Sequence, residues 1–148
     1  METHITEDMH IFGAEENTNS YGILALAYMG DAVMELFARD YVLHKSGETK
    51  PGGLVRASKA IITCEAQSDG LERILGILTP EETSVFKRGR NTKTHITPKH
   101  GELIQYRRAT GLEALFGHLY VTGNVARAKE LFVLAFANDD DNKDKDKE

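Results

Sequence analysis

A chain of 148 residues, 41% of them hydrophobic and 28% charged, is long enough to bury the core of one domain. A single Cys excludes an internal disulfide and fits a reducing cytoplasm. No apolar run reaches membrane-spanning length, and the N-terminus is acidic where a secretory signal would be basic, so no membrane contact is expected. The formal net charge of −5 argues against nucleic acid only until its distribution is read. Residues 1–20 carry five acids and no Lys or Arg, while residues 87–108 carry seven basic residues against the lone acid Glu102, a local +6. Positive charge so concentrated is compatible with a polyanionic ligand.

The residues 1–19 form an acidic extension, and Asn19-Ser20 offers capping residues ahead of a helix expected from Tyr21 to about Leu43. That helix is apolar most of the way round, through Ile23, Leu24, Leu26, Met29, Val33, Met34, Leu36 and Phe37, which predicts a helix buried in the middle of the domain. Asp31 and Glu35 share one face a turn apart. An ionised Asp in such a helix is costly unless it is paired or metal-bound, although a narrow solvated seam would also explain the pair. Gly30 costs about 1 kcal/mol against Ala inside a helix and clears space beside the carboxylate, so something should approach closely there.

Lys50-Pro51-Gly52-Gly53 reads as a turn, followed by a helix with Leu54, Ala57, Ala60, Ile61 and Cys64 on its apolar side. Cys64 is expected to be a small core residue. Another short helix carries Leu71, Ile74, Leu75 and Leu78 after a break at Ser68-Asp69-Gly70. Thr79-Pro80-Glu81-Glu82 supplies a cap, a Pro at the first helical position and two acids for the first turn, and the helix it starts ends near Lys87 to Arg90. Residues 91–101 lack apolar periodicity and read as a loop. Helices then follow over Glu102 to Tyr120 and, capped by Asn124, through Ala128, Leu131, Phe132, Ala135 and Phe136. Residues 138–148 are low-complexity Asp and Lys and are expected to be disordered. No segment alternates as a strand does, so the fold class is all-α, with one folded unit over residues 20–137.

Glu113 repeats the pattern of Asp31: one acid in an apolar helix, with Gly117 four residues on. If the two helix faces meet, Asp31 and Glu113 could together hold a hard cation such as Mg²⁺, which favours a couple of carboxylates and keeps several waters. An ordinary buried acid satisfied by Tyr28, Tyr106 or an Arg is the alternative. Arg88, Arg90, Asn91, Lys93 and Lys99 mix cations with hydroxyl and amide side chains, and Arg107 and Arg108 follow. Such a mix suits phosphate and sugar contacts, and it lacks the aromatic residues of a single-strand platform, so duplex RNA fits better than unpaired strands.

Gly30-Asp31-Ala32-Val33 and Glu113-Ala114-Leu115-Phe116-Gly117 resemble the two signature helices of the ribonuclease III catalytic domain. Leu24 to Asp31, Lys50-Pro51, Lys87 to Asn91, Thr97-Pro98-Lys99 and Gln105-Tyr106-Arg107 are similar to its small branch, the Mini-III ribonucleases. The resemblance implies a homodimeric ribonuclease III-type endonuclease domain in the cytoplasm. It further implies Mg²⁺-dependent cutting of both strands of double-stranded RNA, with Mn²⁺ as a substitute, and maturation of both ends of the 23S ribosomal RNA precursor with help from a large-subunit ribosomal protein. Asp31 and Glu113 match the family's catalytic, metal-binding carboxylates, and Glu35 is at most accessory. Leu24, Ala27 and Thr110 stand where longer members carry further acids, and no RNA-binding domain follows, as in the Mini-III branch. Two other readings are a catalytically silent RNA-binding ribosome-assembly factor and a helical nucleotide phosphohydrolase using Asp31 and Glu35.

Overall fold

The computed structural model of the chain describes residues 9–93 and 102–137. Ile23–Lys45 (α1), Pro51–Ile61 (α2), Cys64–Ile74 (α3), Pro80–Arg90 (α4), Glu102–Val121 (α5) and Val125–Phe132 (α6) are α-helices, and Val133–Ala137 continues α6 as a π-helical turn. Among the described residues there is no strand, so the all-α expectation holds.

The helix that is apolar nearly all round and buried is α5, not α1. From Ala109 to Leu119 every α5 residue is buried except the half-buried Glu113. It packs against α1, α3 and α4, and its Leu112, Leu115, Phe116 and Leu119 join Val33, Met34, Leu71, Ile74 and Phe86 in the main core. On α1 only one side is covered, through Leu26, Ala27, Gly30, Val33, Met34, Ala38 and Val42. Leu24, Tyr28, Leu36 and Leu43, at helical spacing on the other side, remain exposed.

Helix starts follow their local chemistry where a side chain can close the first turn. Thr79 Oγ1 accepts from Glu82 N at 3.1 Å while Glu82 Oε1 accepts from Thr79 N at 2.9 Å, a reciprocal cap with Pro80 behind it. Three boundaries differ from the sequence reading. Helix α1 starts after Gly22 with no side-chain cap, and in the preceding turn the Asn19 backbone N–H donates to Asn17 Oδ1 at 3.0 Å. Pro51 opens α2 instead of ending a turn. The break falls at Ile62-Thr63, where Thr63 Oγ1 accepts from Ala66 N at 3.1 Å, and α3 then runs straight through Ser68-Asp69-Gly70. Gly70 is there for packing: a Cβ would sit 2.9 Å from the Ala135 carbonyl oxygen. Asn124 does stand at the α6 cap position, but its side chain bonds Thr122 Oγ1 instead of closing the turn.

The described part of the N-terminal segment lies along the end of α5. His10 stacks on Tyr120 with ring centroids 4.3 Å apart, Glu15 N donates to Val121 O at 2.9 Å, and Thr18 Oγ1 meets His118 Nδ1 at 2.7 Å. This strap fixes where α1 begins relative to α5.

Candidate active site

Two glycines set the closest approach of α1 and α5. A Cβ on Gly30 would lie 1.6 Å from the Glu113 carbonyl oxygen and 2.7 Å from Gly117 N, and one on Gly117 would lie 1.9 Å from the Leu26 carbonyl oxygen. No side chain fits in either place, so the backbones themselves touch. The close approach anticipated at Gly30 is therefore made by the helix that carries Glu113.

Asp31 follows Gly30 and is exposed, whereas Glu113 is half-buried. Helical periodicity puts the Asp inside an oily helix; it stands instead at the rim, and Glu113 is the carboxylate sunk among apolar groups. Burial, followed by the nearby charge of Asp31, pushes the Glu113 carboxyl up to about 7, opposed by a hydrogen bond from the Gln67 side chain. The partner of Glu113 is thus Gln67 of α3 and not Tyr28, Tyr106 or an Arg. One trace of Gln67 was in the sequence: it falls at an inward position of the stripe that continues through Leu71 and Ile74. Cys64, a turn before it, is exposed and not a core residue. Partial burial, and then the charge of Glu113, raise its thiol above the ordinary value, which places the first turn of α3 near Glu113.

Glu35 is not gathered with them. It pairs with Arg39 one turn on, at 2.5 Å, on a solvated face. Thr110 is buried and spends its hydroxyl on the Tyr106 carbonyl oxygen at 3.0 Å. Among the described residues no group of three or more His, Cys, Asp or Glu side chains converges. Two hard oxygen donors remain, a set that suits a divalent ion keeping most of its water better than a metal needing a full protein cage.

The cations form a second cluster. Lys87, Arg90, Asn91, Arg107 and Arg108 line an open groove of about 550 Å³ between α3, α4 and the start of α5. Arg90 lies over the Phe86 ring, 5.6 Å from its centroid, and bonds Asn91 Oδ1 at 3.0 Å, while Arg108 is paired with Glu72. Arg88 and Lys93 are exposed; Lys99 lies outside the described residues. By helical phase Arg107 and Arg108 are rotated about 120° and 140° from Glu113 around α5. The groove consequently opens on a different flank from the carboxylates.

A family model for the ribonuclease III domain matches residues 24–124, which include both carboxylates and the whole cationic groove. The chain belongs to the ribonuclease III family. It is 42% identical over 110 residues to the Mini-ribonuclease 3 of Enterococcus faecalis, covering 73% of this chain and 83% of that protein. With the Mini-ribonuclease 3 of Clostridium tetani it shares 40% over 111 residues, covering 75% and 74%. The crystal structure of a Fusobacterium nucleatum protein, 31% identical, superimposes with a TM-score of 0.68 over 80% of this chain and 93% of that one. Membership of the ribonuclease III family makes this chain an endoribonuclease of double-stranded RNA, and the family is metal-dependent and acts as a dimer. Among the described residues no helix is long and apolar enough to cross a membrane.

Proposed function

We propose that this endoribonuclease uses Asp31 and Glu113 to hold Mg²⁺, or Mn²⁺ in its place, and matures both ends of 23S ribosomal RNA precursor in the cytoplasm. The observation that carries the reading is the proximity of two carboxylates 82 residues apart in the chain, close enough for the charge of one to raise the pKa of the other. Like charges forced together with little to offset them favour a cation between them. A divalent ion bound there would polarise the scissile phosphate and activate water.

What the chain itself does is position and exclude. The glycine contact between α1 and α5 holds Asp31 and Glu113 in fixed relation, and burial of Glu113 keeps bulk water from one side of the pair. Arg90, Asn91, Arg107 and Arg108 in the cationic groove grip phosphates of the same duplex away from the cut, with Arg88, Lys93 and Lys99 as further phosphate contacts. A large-subunit ribosomal protein would present the precursor to this surface.

The exposed stripe of Leu24, Tyr28, Leu36 and Leu43 on α1, continued by Val55 on α2, is the surface expected to meet the second protomer. Asp31 lies between Tyr28 and Leu36 along this helix, so a two-fold contact there brings two carboxylate pairs to one duplex.

Asp31→Asn tests the assignment. Its cleavage of a long RNA duplex should fall by about two to three orders of magnitude, as expected when a charge-stabilising group is removed, with RNA binding in chelator and the melting temperature nearly unchanged. Mg²⁺-dependent cleavage at the parent rate would remove Asp31 from the mechanism.

A further inference from the structure

Gln67 is only 5% exposed, yet it is polar, and nothing in its own helix needs it. Its Nε2 donates to the Ile62 carbonyl oxygen at 2.9 Å, and the same amide lies close enough to the Glu113 carboxylate to oppose the rise of its pKa. The Ile62 carbonyl only accepts, which fixes the amide with its nitrogen toward it and leaves the second N–H on that side. Its Oε1 is then turned into the protein, where it meets no donor among the described residues. A buried amide oxygen left without a donor lowers stability, and an apolar side chain at an inward position of α3 would not carry that cost. Such a residue is best explained by what its nitrogen does.

We propose that Gln67 is a positioning residue: its amide orients the Glu113 carboxylate toward Asp31, so that the two can share a divalent cation. This rests on reading Asp31 and Glu113 as the metal ligands. The Glu113 side chain has three rotatable bonds and sits beside a like charge, so without a donor on its buried side it turns away from Asp31. Hydrogen bonds behind ligating carboxylates ordinarily set their direction in this way. The competing role for Gln67 is purely structural, as a cap on the Ile62 carbonyl oxygen at the end of α2. The two roles part company experimentally, because a cap affects folding in chelator and leaves metal binding alone.

The test is Mn²⁺ binding to the purified full chain without RNA, followed by electron paramagnetic resonance, beside the Mg²⁺ dependence of duplex cleavage. Gln67→Met should bind Mn²⁺ about 10- to 100-fold more weakly and need correspondingly more Mg²⁺ for half-maximal cleavage. Its RNA affinity in chelator should equal that of the parent. Gln67→Asn, which keeps an amide but falls one methylene short, should lose Mn²⁺ affinity in the same direction and replaces Gln67→Met should that variant not fold. In the parent itself, saturating Mg²⁺ should move the Gln67 side-chain amide resonances. Parent-like Mn²⁺ affinity in either folded variant, or amide signals unmoved by Mg²⁺, overturns the proposal. Asp31→Asn in the same assay separates the two levels. If it too binds Mn²⁺ like the parent, the metal-site reading falls; if it loses Mn²⁺ while Gln67→Met keeps it, only the role of Gln67 falls.

Discussion

Glu113 is the residue on which stability and the proposed metal-holding role pull in opposite directions. Its carboxyl has the ordinary value of 4.5 when free of the fold and about 7 within it, raised by burial and then by Asp31. A folded value above the unfolded one means that Glu113 lowers the stability of the native state progressively as pH rises between the two. Glu113→Gln removes this penalty. In chelator the variant should be more stable than the parent at pH 8, by up to about 3 kcal/mol, and indistinguishable from it near pH 4, as urea unfolding would show. Mg²⁺ should close the gap by stabilising the parent alone; a variant no more stable at pH 8 would contradict the buried, charged Glu113. Both carboxylates stood out in the sequence because each is an acid in an apolar helix with a Gly within a turn. Gln67 did not, since a polar residue at an inward position has no meaning until its neighbour from another helix is known. The exposure of Asp31 was hidden for the same reason.

At the scale of the elements, the α1–α5 seam carries the site. Gly30 and Gly117 let two helices meet backbone to backbone, and an added methyl group has no room to relax when the opposing atoms are main-chain. Gly30→Ala should destabilise the fold by at least about 3 kcal/mol, at or above the usual cost of overpacking, and should weaken Mn²⁺ binding by parting Asp31 from Glu113. Gly52→Ala is the matching control, because its nearest neighbour would be the flexible end of Arg56 at 3.7 Å. Equal denaturation midpoints for the two variants would refute the seam. The start of α4 was readable residue by residue, since Thr79, Pro80 and Glu82 act within a single turn. The α2–α3 break and the continuity of α3 were misread, because a Ser-Asp-Gly run stops a helix only when the tertiary contacts do not repay it. Here Gly70 lies against Ala135 and Phe136, and Leu71 and Ile74 are fully buried.

For the whole molecule, charge placement matters more than net charge. A chain of net charge −5 presents Lys87, Arg90 and Arg107 along one groove, with Arg108 already engaged by Glu72. Each phosphate contact adds a little under one unit to the slope of log affinity against log salt. Replacing Arg90 and Arg107 together by Gln should lower that slope by up to about two units and weaken duplex binding uniformly across sequences. Replacing Arg108 should change it less, as its charge is partly spent within the fold. An unchanged slope, measured by filter binding over a salt series, would exclude the groove from RNA contact.

The sequence by itself determined the all-helical class, the cap that starts α4, the two acids with a Gly nearby and the basic segment, since each depends on residues within a turn or two of one another. Tertiary structure decided which face of α1 is covered, that Asp31 stands at the rim while Glu113 lies inside, that Glu35 leaves the site for Arg39, and that Gln67 enters it. Helical periodicity can mark two apolar faces on one helix, but only the partner packed against one of them settles which is core. That partner is often supplied by a residue many turns away in the chain, as Glu113 is to Gly30.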